Sequence, residues 1–245
     1  IHLMDPHWTY EPPEPWRTRY VADDPRTTQV YEELLARRLT IGPIIFENTM
    51  PPDEVASFVG LYDGELRFTD DALGGLLRSL RELGLEGRTL VVVTADHGES
   101  LGEHRYFFEH GDLGSAPEIH TPLLFRWPGR LPEGRRVAST VESLDVAPTL
   151  LELAGLPAEP AFRGRSLRGY LDGTDAADRS CFGETDMSFH EENFAREIPG
   201  VAGKSRWLRK GRFKLVFLPH LEKPPEWRLF DLATDPGELD EAGER

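Results

Sequence analysis

An apolar run between Thr89 and Ala95 constrains the fold of this chain more than any other stretch. Its sequence, TLVVVTA, is rich in β-branched residues and ends abruptly at Asp96-His97-Gly98. A short run of this kind is typical of a central strand that is buried on both faces of a sheet. Ligands of open α/β sheets gather beyond the carboxyl ends of the strands, so we expect Asp96 and His97 at a binding edge.

The segments around this strand predict an α/β chain. Residues 52–83 carry apolar side chains at three- and four-residue steps, which predicts a long amphipathic helix that stops at Gly84. Residues 1–5 and 122–127 predict two further strands, and Asp145 caps a predicted second helix through VAPTLLELAG. The resulting order of strand, helix, strand, strand and helix is typical of α/β proteins.

The C-terminal part of the chain has a different pattern. It contains four short β-like runs separated by turns: SCFGETD, SRWLRKG, FKLVFLP and WRLFDL. Runs of this length and spacing predict a small antiparallel sheet. We therefore expect two units, an α/β unit over residues 1–172 and a small α+β unit over residues 173–245.

The composition argues against several kinds of partner and structural site. The 43 acidic residues outnumber the 28 basic ones and give a formal charge of −15, which argues against nucleic-acid binding because phosphates require clustered cations. Cys181 is the single cysteine, so neither an internal disulfide nor a cysteine-based zinc site can form. No apolar run reaches the roughly 18 residues of a membrane span. The cellular compartment and the oligomeric state stay open.

Three of the eight histidines lie close together after the apolar run, at positions 97, 104 and 110. A carboxylate oxygen beside an imidazole nitrogen is a common ligand pair for a divalent cation, which Asp96 and His97 would supply. The alternative is structural, with Asp96 capping a turn and His97 fully hydrogen-bonded. His110 fits either a functional role or an exposed loop, and His104 is assigned no chemistry. Glu99 and Glu103 are expected to be solvated or to support the ligands.

Eight segments together resemble the sulfatase family of the alkaline phosphatase superfamily, in the family's order and over nearly the whole chain. The segment around the apolar run is similar to a metal-binding segment of that family. The matching segments are IHLMDPHWTYEPP, LYDGELRFTDDALGGLL, TLVVVTADHGESLGEH, HTPLLFRWPG, SLDVAPTLLELAGLP, FRGRSL, RKGRFKLVF and LFDLATDPGEL. The resemblance implies an alkaline-phosphatase-like three-layer α/β sandwich, present in part, with a small C-terminal antiparallel sheet.

The resemblance also implies roles for individual residues. Asp96 and His97 match two metal ligands, and His7 matches a histidine that contacts the ester group or the leaving oxygen. His110 stands where many relatives place a lysine that contacts the same group. A histidine there keeps a hydrogen-bond donor but makes its charge depend on pH. His7 and His110 are therefore the expected catalytic and substrate-binding residues.

The family's nucleophile motif is absent from this sequence. Sulfatases share a Cys/Ser-x-Pro-x-Arg motif, whose first residue becomes a formylglycine nucleophile, and no such motif occurs here. Cys181 lacks the required proline and arginine. The upstream acidic metal ligands are missing too, so we expect this chain to be a C-terminal portion of a sulfatase-like protein, inactive on its own.

The predicted activity is metal-dependent hydrolysis of a small-molecule or glycan sulfate ester. The metal is one divalent ion, Ca²⁺ on family grounds, although the imidazole of His97 also suits Mn²⁺ or Zn²⁺ and Mg²⁺ stays open. Hydrolysis of phosphonates or phosphodiesters, or phosphoethanolamine-type transfer, is the alternative within the superfamily. A non-catalytic binding or structural fragment is the alternative from another class.

Overall fold

The structure, a computed structural model, describes most of the chain. The described residues are 1–21, 29, 32, 50–111, 114–185, 205–219 and 224–239. Within the continuous ranges the α-helices are α1 (Trp16–Tyr20), α2 (Pro52–Glu82), α3 (Ala116–Ile119), α4 (Val146–Leu153) and α5 (Arg168–Asp172). The strands are β1 (Val91–Thr94), β2 (Ser100–Leu101), β3 (Phe107–Glu109), β4 (Leu123–Arg126), β5 (Ser180–Glu184), β6 (Arg206–Lys210), β7 (Phe213–Leu218) and β8 (Glu226–Asp231).

Helix α2 confirms the long helix that the periodicity predicts. It runs without interruption for 31 residues, and Gly84 follows it with φ +68°, the left-handed conformation that glycine adopts without strain. Its buried positions include Phe58 and Leu61, which form a core cluster with Tyr10 and Phe108. The core therefore joins α2 to the segment after His7 and to strand β3.

Strand β1 has a smaller sheet around it than the sequence predicts. Among the described residues, β1 pairs only with β4, antiparallel, with Val91 opposite Arg126 and Thr94 opposite Leu123. Its side chains are half-buried or exposed, because one neighbouring strand covers only part of its surface. Residues 1–5 form no strand, since no described strand pairs with them.

The structure confirms the small antiparallel sheet predicted for the C-terminal part of the chain. Its strand order is β5-β6-β7-β8 with every pair antiparallel. Successive residues of a strand point to opposite faces of the sheet, and the face with Cys181, Val216 and Phe230 is buried. The other face carries Phe182 and Trp227, which are exposed.

A buried ion pair connects the start of this sheet to the preceding part of the chain. Asp145, which precedes α4, accepts hydrogen bonds from Arg179 at 2.7 and 3.3 Å and from the backbone amide of Arg165 at 2.8 Å. The predicted helix after Asp145 is confirmed, but the carboxylate binds Arg179 and neighbouring amides rather than capping α4. Both side chains are buried, so the pair fixes where β5 begins.

No helix within the described parts of the chain is both long enough and apolar enough to cross a membrane.

Candidate active site

His7 lies in a loop that is anchored to helix α2. Its Nδ1 atom is 2.7 Å from the carbonyl oxygen of Trp8. Glu65 on α2 accepts a hydrogen bond from the backbone amide of Glu11 at 2.6 Å, and Tyr10 is buried in the core. Because a carbonyl oxygen only accepts hydrogen bonds, the Nδ1 atom of His7 carries a proton and its Nε2 atom is left for a ligand.

Asp96 and His97 lie just beyond the end of β1, with Ala95 between, close to where the strand pattern predicts them. The Nδ1 atom of His97 is 2.8 Å from the carbonyl oxygen of Gly98. The amide of Gly98 donates to the carbonyl of Glu118 at 2.6 Å, and a Cβ atom at position 98 would lie 1.9 Å from the carbonyl oxygen of Pro117. Only glycine fits this close approach, so the turn after β1 is held against α3.

His110 follows β3 and is oriented by a buried carboxylate. Its Nδ1 atom is 2.9 Å from Oε1 of Glu99, and Tyr10 donates to Oε2 of the same carboxylate at 2.9 Å. The Glu99 side chain is only 4 % exposed. The hydrogen bond to Glu99 raises the pKa of His110, although burial of the ring opposes this.

The three histidines converge at one place. The rings of His97 and His110 stack with their centroids 3.6 Å apart, and the His7 ring stands edge-on to them at 6.1 and 5.5 Å. One ligand atom of each of the three residues lies within 4.8 Å of the others. Such a group can hold a divalent cation or surround an anionic substrate with hydrogen-bond donors.

Asp96 lies beside this group but outside it. Its side chain is 82 % exposed, and Oδ1 is 3.8 Å from Nε2 of His97. Two ligand atoms at this separation can both reach one cation at distances of about 2.0–2.2 Å. Asp96 and His97 thus fit a divalent ion, and they leave coordination positions for other ligands. Within the described part of the chain, Asp96 is not among the residues whose ligand atoms converge with those of His7 and His110.

Two charged residues are buried and make contacts that the sequence does not indicate. Glu99 is buried and hydrogen-bonded to His110, so the expectation that it is solvated is wrong, and the expectation that it supports a ligand stays a prediction. Lys214 on β7 is 1 % exposed and donates to Glu238 at 2.8 Å and to the carbonyl of Gly114 at 2.6 Å. No local pattern in the sequence indicates either contact.

His104 stays outside the group. It sits in a short turn with φ +56°, and it is not among the residues whose ligand atoms converge. The antiparallel pair of β2 and β3 brings His110 back toward His97 and leaves His104 in the turn between the two strands.

Comparison with known proteins places these residues in context. The family model "Sulfatase" matches residues 1–156, and the model for the C-terminal region of N-sulphoglucosamine sulphohydrolase matches residues 102–244. Arylsulfatase K of Mus musculus is 31 % identical over 191 residues, which are 76 % of this chain and 32 % of that protein. The chain thus spans about a third of the length of the curated relatives it matches.

Solved structures agree on the fold. A phosphonate monoester hydrolase of Agrobacterium radiobacter superposes with a TM-score of 0.73 at 25 % identity, over 98 % of this chain and 51 % of that one. A protein solved in complex with its substrate D-glucosamine-2-N,6-O-disulfate superposes with a TM-score of 0.66 at 22 % identity, over 88 % and 42 %. These neighbours confirm the predicted alkaline-phosphatase-like α/β fold with a small C-terminal antiparallel sheet.

Proposed function

This chain belongs to the sulfatase family, and from that premise we propose that it supplies one side of the active site of a metal-dependent sulfuric ester hydrolase. The convergence of His7, His97 and His110 carries the proposal. Its relatives include arylsulfatase K, and one solved neighbour holds a sulfated glucosamine. The proposed substrate class is accordingly a small-molecule or glycan sulfate ester.

Asp96 and His97 are the proposed metal ligands in this chain. Sulfatases are generally metal-dependent, and the 3.8 Å separation of Oδ1 and Nε2 supports a shared cation. Family membership favours Ca²⁺, whereas the imidazole ligand suits Mn²⁺ or Zn²⁺ better. A bound cation supplies positive charge beside the oxygens of the ester and orients the nucleophile.

His7 and His110 are the proposed substrate contacts. A sulfuryl group carries negative oxygens, and cleavage of the ester places further charge on the leaving oxygen. With Nδ1 of each ring already hydrogen-bonded, Nε2 is the atom that meets the substrate. A protonated Nε2 stabilises a sulfuryl oxygen or donates its proton to the leaving group.

The nucleophile is proposed to come from sequence outside this chain. The chain contains no Cys/Ser-x-Pro-x-Arg motif, and burial raises the pKa of the Cys181 thiol to about 11, which makes it a poor nucleophile. The remaining acidic metal ligands are proposed to come from the same source outside this chain.

We also propose the division into residues 1–172 and 173–245, supported by the end of α5 at Asp172 and the separate sheet that follows.

Metal binding by the purified chain tests the assignment of ligands. In calorimetric titrations with Ca²⁺, Mn²⁺ and Zn²⁺ we expect one ion per chain, with affinity reduced at least about tenfold in Asp96→Ala and His97→Ala. His7→Ala and His110→Ala should bind normally, and His104→Ala is the matched control. Loss of binding in the His7 and His110 variants, with full binding in Asp96→Ala, would show instead that the three imidazoles hold the ion.

Turnover tests the reaction. In the protein extended by the proposed nucleophile region we expect hydrolysis of an aryl sulfate, and a loss of kcat of roughly 10²- to 10⁴-fold in His110→Ala. The chain alone should show no turnover above background. An aryl phosphonate is the comparison substrate, because one solved neighbour is a phosphonate monoester hydrolase. A higher kcat/KM for the phosphonate would contradict the sulfate assignment.

A further inference from the structure

Glu99 connects the two loops that carry the proposed substrate contacts. Its Oε1 atom accepts from His110 at 2.9 Å and its Oε2 atom accepts from Tyr10 at 2.9 Å. Tyr10 lies three positions after His7 in the same loop and is buried in the core cluster. A single carboxylate therefore ties His110 to the segment that holds His7.

His110 differs from the other two histidines in what orients its ring. The Nδ1 atoms of His7 and His97 face backbone carbonyls of adjacent residues, which no substitution of a side chain removes. The Nδ1 atom of His110 instead faces the side chain of a residue eleven positions away. Of these three rings, His110 is thus the one whose orientation depends on a side chain that a substitution can remove.

We propose that Glu99 is a positioning residue, which holds the ring of His110 so that Nδ1 is occupied and Nε2 is presented to the ester. The proposal rests on the proposed function of His110 as a substrate contact. The Oε1 atom of Glu99 accepts the hydrogen bond, so the hydrogen between it and His110 is on Nδ1. The second oxygen, held by Tyr10, prevents the carboxylate from rotating away.

Packing around this contact leaves the ring little freedom. The His110 ring stacks on His97 at 3.6 Å and at an interplanar angle of 15°. Phe108, two residues earlier, packs against Tyr10 with centroids 6.0 Å apart. Stacking alone would permit a 180° rotation about the Cβ–Cγ bond, which exchanges Nδ1 with Cδ2 and Nε2 with Cε1. The hydrogen bond to Glu99 selects one of these two orientations.

The protonation pattern of the imidazole ring is the first test and requires no turnover. In ¹H–¹⁵N correlation spectra of the chain, we expect the Nδ1 proton of His110 to be present in the unmodified protein and lost or exchange-broadened in Glu99→Ala. Tyr10→Phe should weaken this signal. Glu103→Gln is the control and should leave the signal unchanged, because Glu103 lies in the same turn but accepts from the amide of Leu101 rather than from His110. An unaltered His110 signal in Glu99→Ala would overturn the proposal.

Kinetics of the extended protein provide the second test. Glu99→Ala should lower kcat for an aryl sulfate by roughly 10- to 100-fold, the cost typical of removing a group that orients a functional histidine. Glu99→Gln should recover most of this loss, because the amide oxygen accepts from His110 while the amide nitrogen donates to Tyr10. Circular dichroism and melting temperature establish that each variant is folded.

The outcomes separate the two proposals. If His110→Ala leaves turnover unchanged, the proposed function of His110 fails and the positioning role falls with it. If His110→Ala loses turnover while Glu99→Ala retains it, only the role of Glu99 is refuted. Equal losses in Glu99→Ala and Glu99→Gln would also refute it, since orientation by hydrogen bonding would then not be the cause.

Discussion

Replacing Glu65 by glutamine is expected to stabilise the protein at pH 8 and to have little effect in acid. Glu65 lies on α2 and is 2 % exposed. Its Oε1 atom accepts from the amide of Glu11, but Oε2 has no hydrogen-bond partner among the described residues. Burial raises the pKa of this carboxyl from 4.5 to about 7, although backbone hydrogen bonds from Glu11 and His7 oppose the shift.

The direction and size of the effect follow from this pKa. Between pH 4.5 and about pH 7, Glu65 holds a proton in the folded state that it has released in the unfolded chain. The stability of the wild-type protein therefore falls as the pH rises through this range. A pKa shift of one unit corresponds to about 1.4 kcal/mol. The shift from 4.5 to about 7 therefore lowers the free energy of unfolding of the wild type by about 3 kcal/mol at pH 8. Glutamine keeps the bond to Glu11 and never ionises, so the variant avoids this loss.

Urea and thermal unfolding at several pH values measure the difference. We expect Glu65→Gln to exceed the wild type by about 3 kcal/mol at pH 8, or roughly 6–12 °C in melting temperature, and by less than ~1 kcal/mol at pH 5. Glu82→Gln, on the exposed end of the same helix, should change stability by no more than about 0.5 kcal/mol at any pH. A difference between Glu65→Gln and wild type that does not vary with pH would refute the reasoning.

Three further predictions concern the close approach after β1, the C-terminal ion pair and the single thiol. Gly98→Ala should weaken metal binding and lower the melting temperature, because its Cβ would collide with the carbonyl oxygen of Pro117 at 1.9 Å; normal binding and stability would contradict the proposed packing. Lys214→Met should cost about 3–5 kcal/mol in urea unfolding by leaving Glu238 buried and unpaired, and the added substitution Glu238→Gln should recover part of that loss. Cys181 should resist iodoacetamide at pH 8 until the protein is unfolded, because burial raises its pKa to about 11; rapid labelling of the native protein, detected by mass spectrometry, would contradict this.

Local sequence pattern correctly predicted the elements whose burial repeats with a regular period. The apolar positions of α2 recur with the helical period, and the four C-terminal strands alternate between a buried and an exposed face. Such periods record which side of an element faces the core, so one sequence suffices to detect them. The same pattern placed Asp96 and His97 at the end of β1, where the structure has them.

The extent of the sheet around β1 was not determined by its own sequence. The run TLVVVTA predicts a strand buried on both faces, but the described residues provide only β4 as a partner. Burial of a strand depends on how many neighbours are present, and its own residues record only that they are apolar. Residues 1–5 likewise have the sequence pattern of a strand, but they form no strand because no described strand pairs with them.

The arrangement of the site was decided by tertiary structure. Sequence and family resemblance selected His7, His97 and His110, but their convergence requires that loops far apart in the chain pack against one core. The bond from Tyr10 to Glu99 spans 89 positions and that from Lys214 to Gly114 spans 100. A buried polar side chain looks like a solvated one in the sequence, because what distinguishes the two is a partner brought near only by folding.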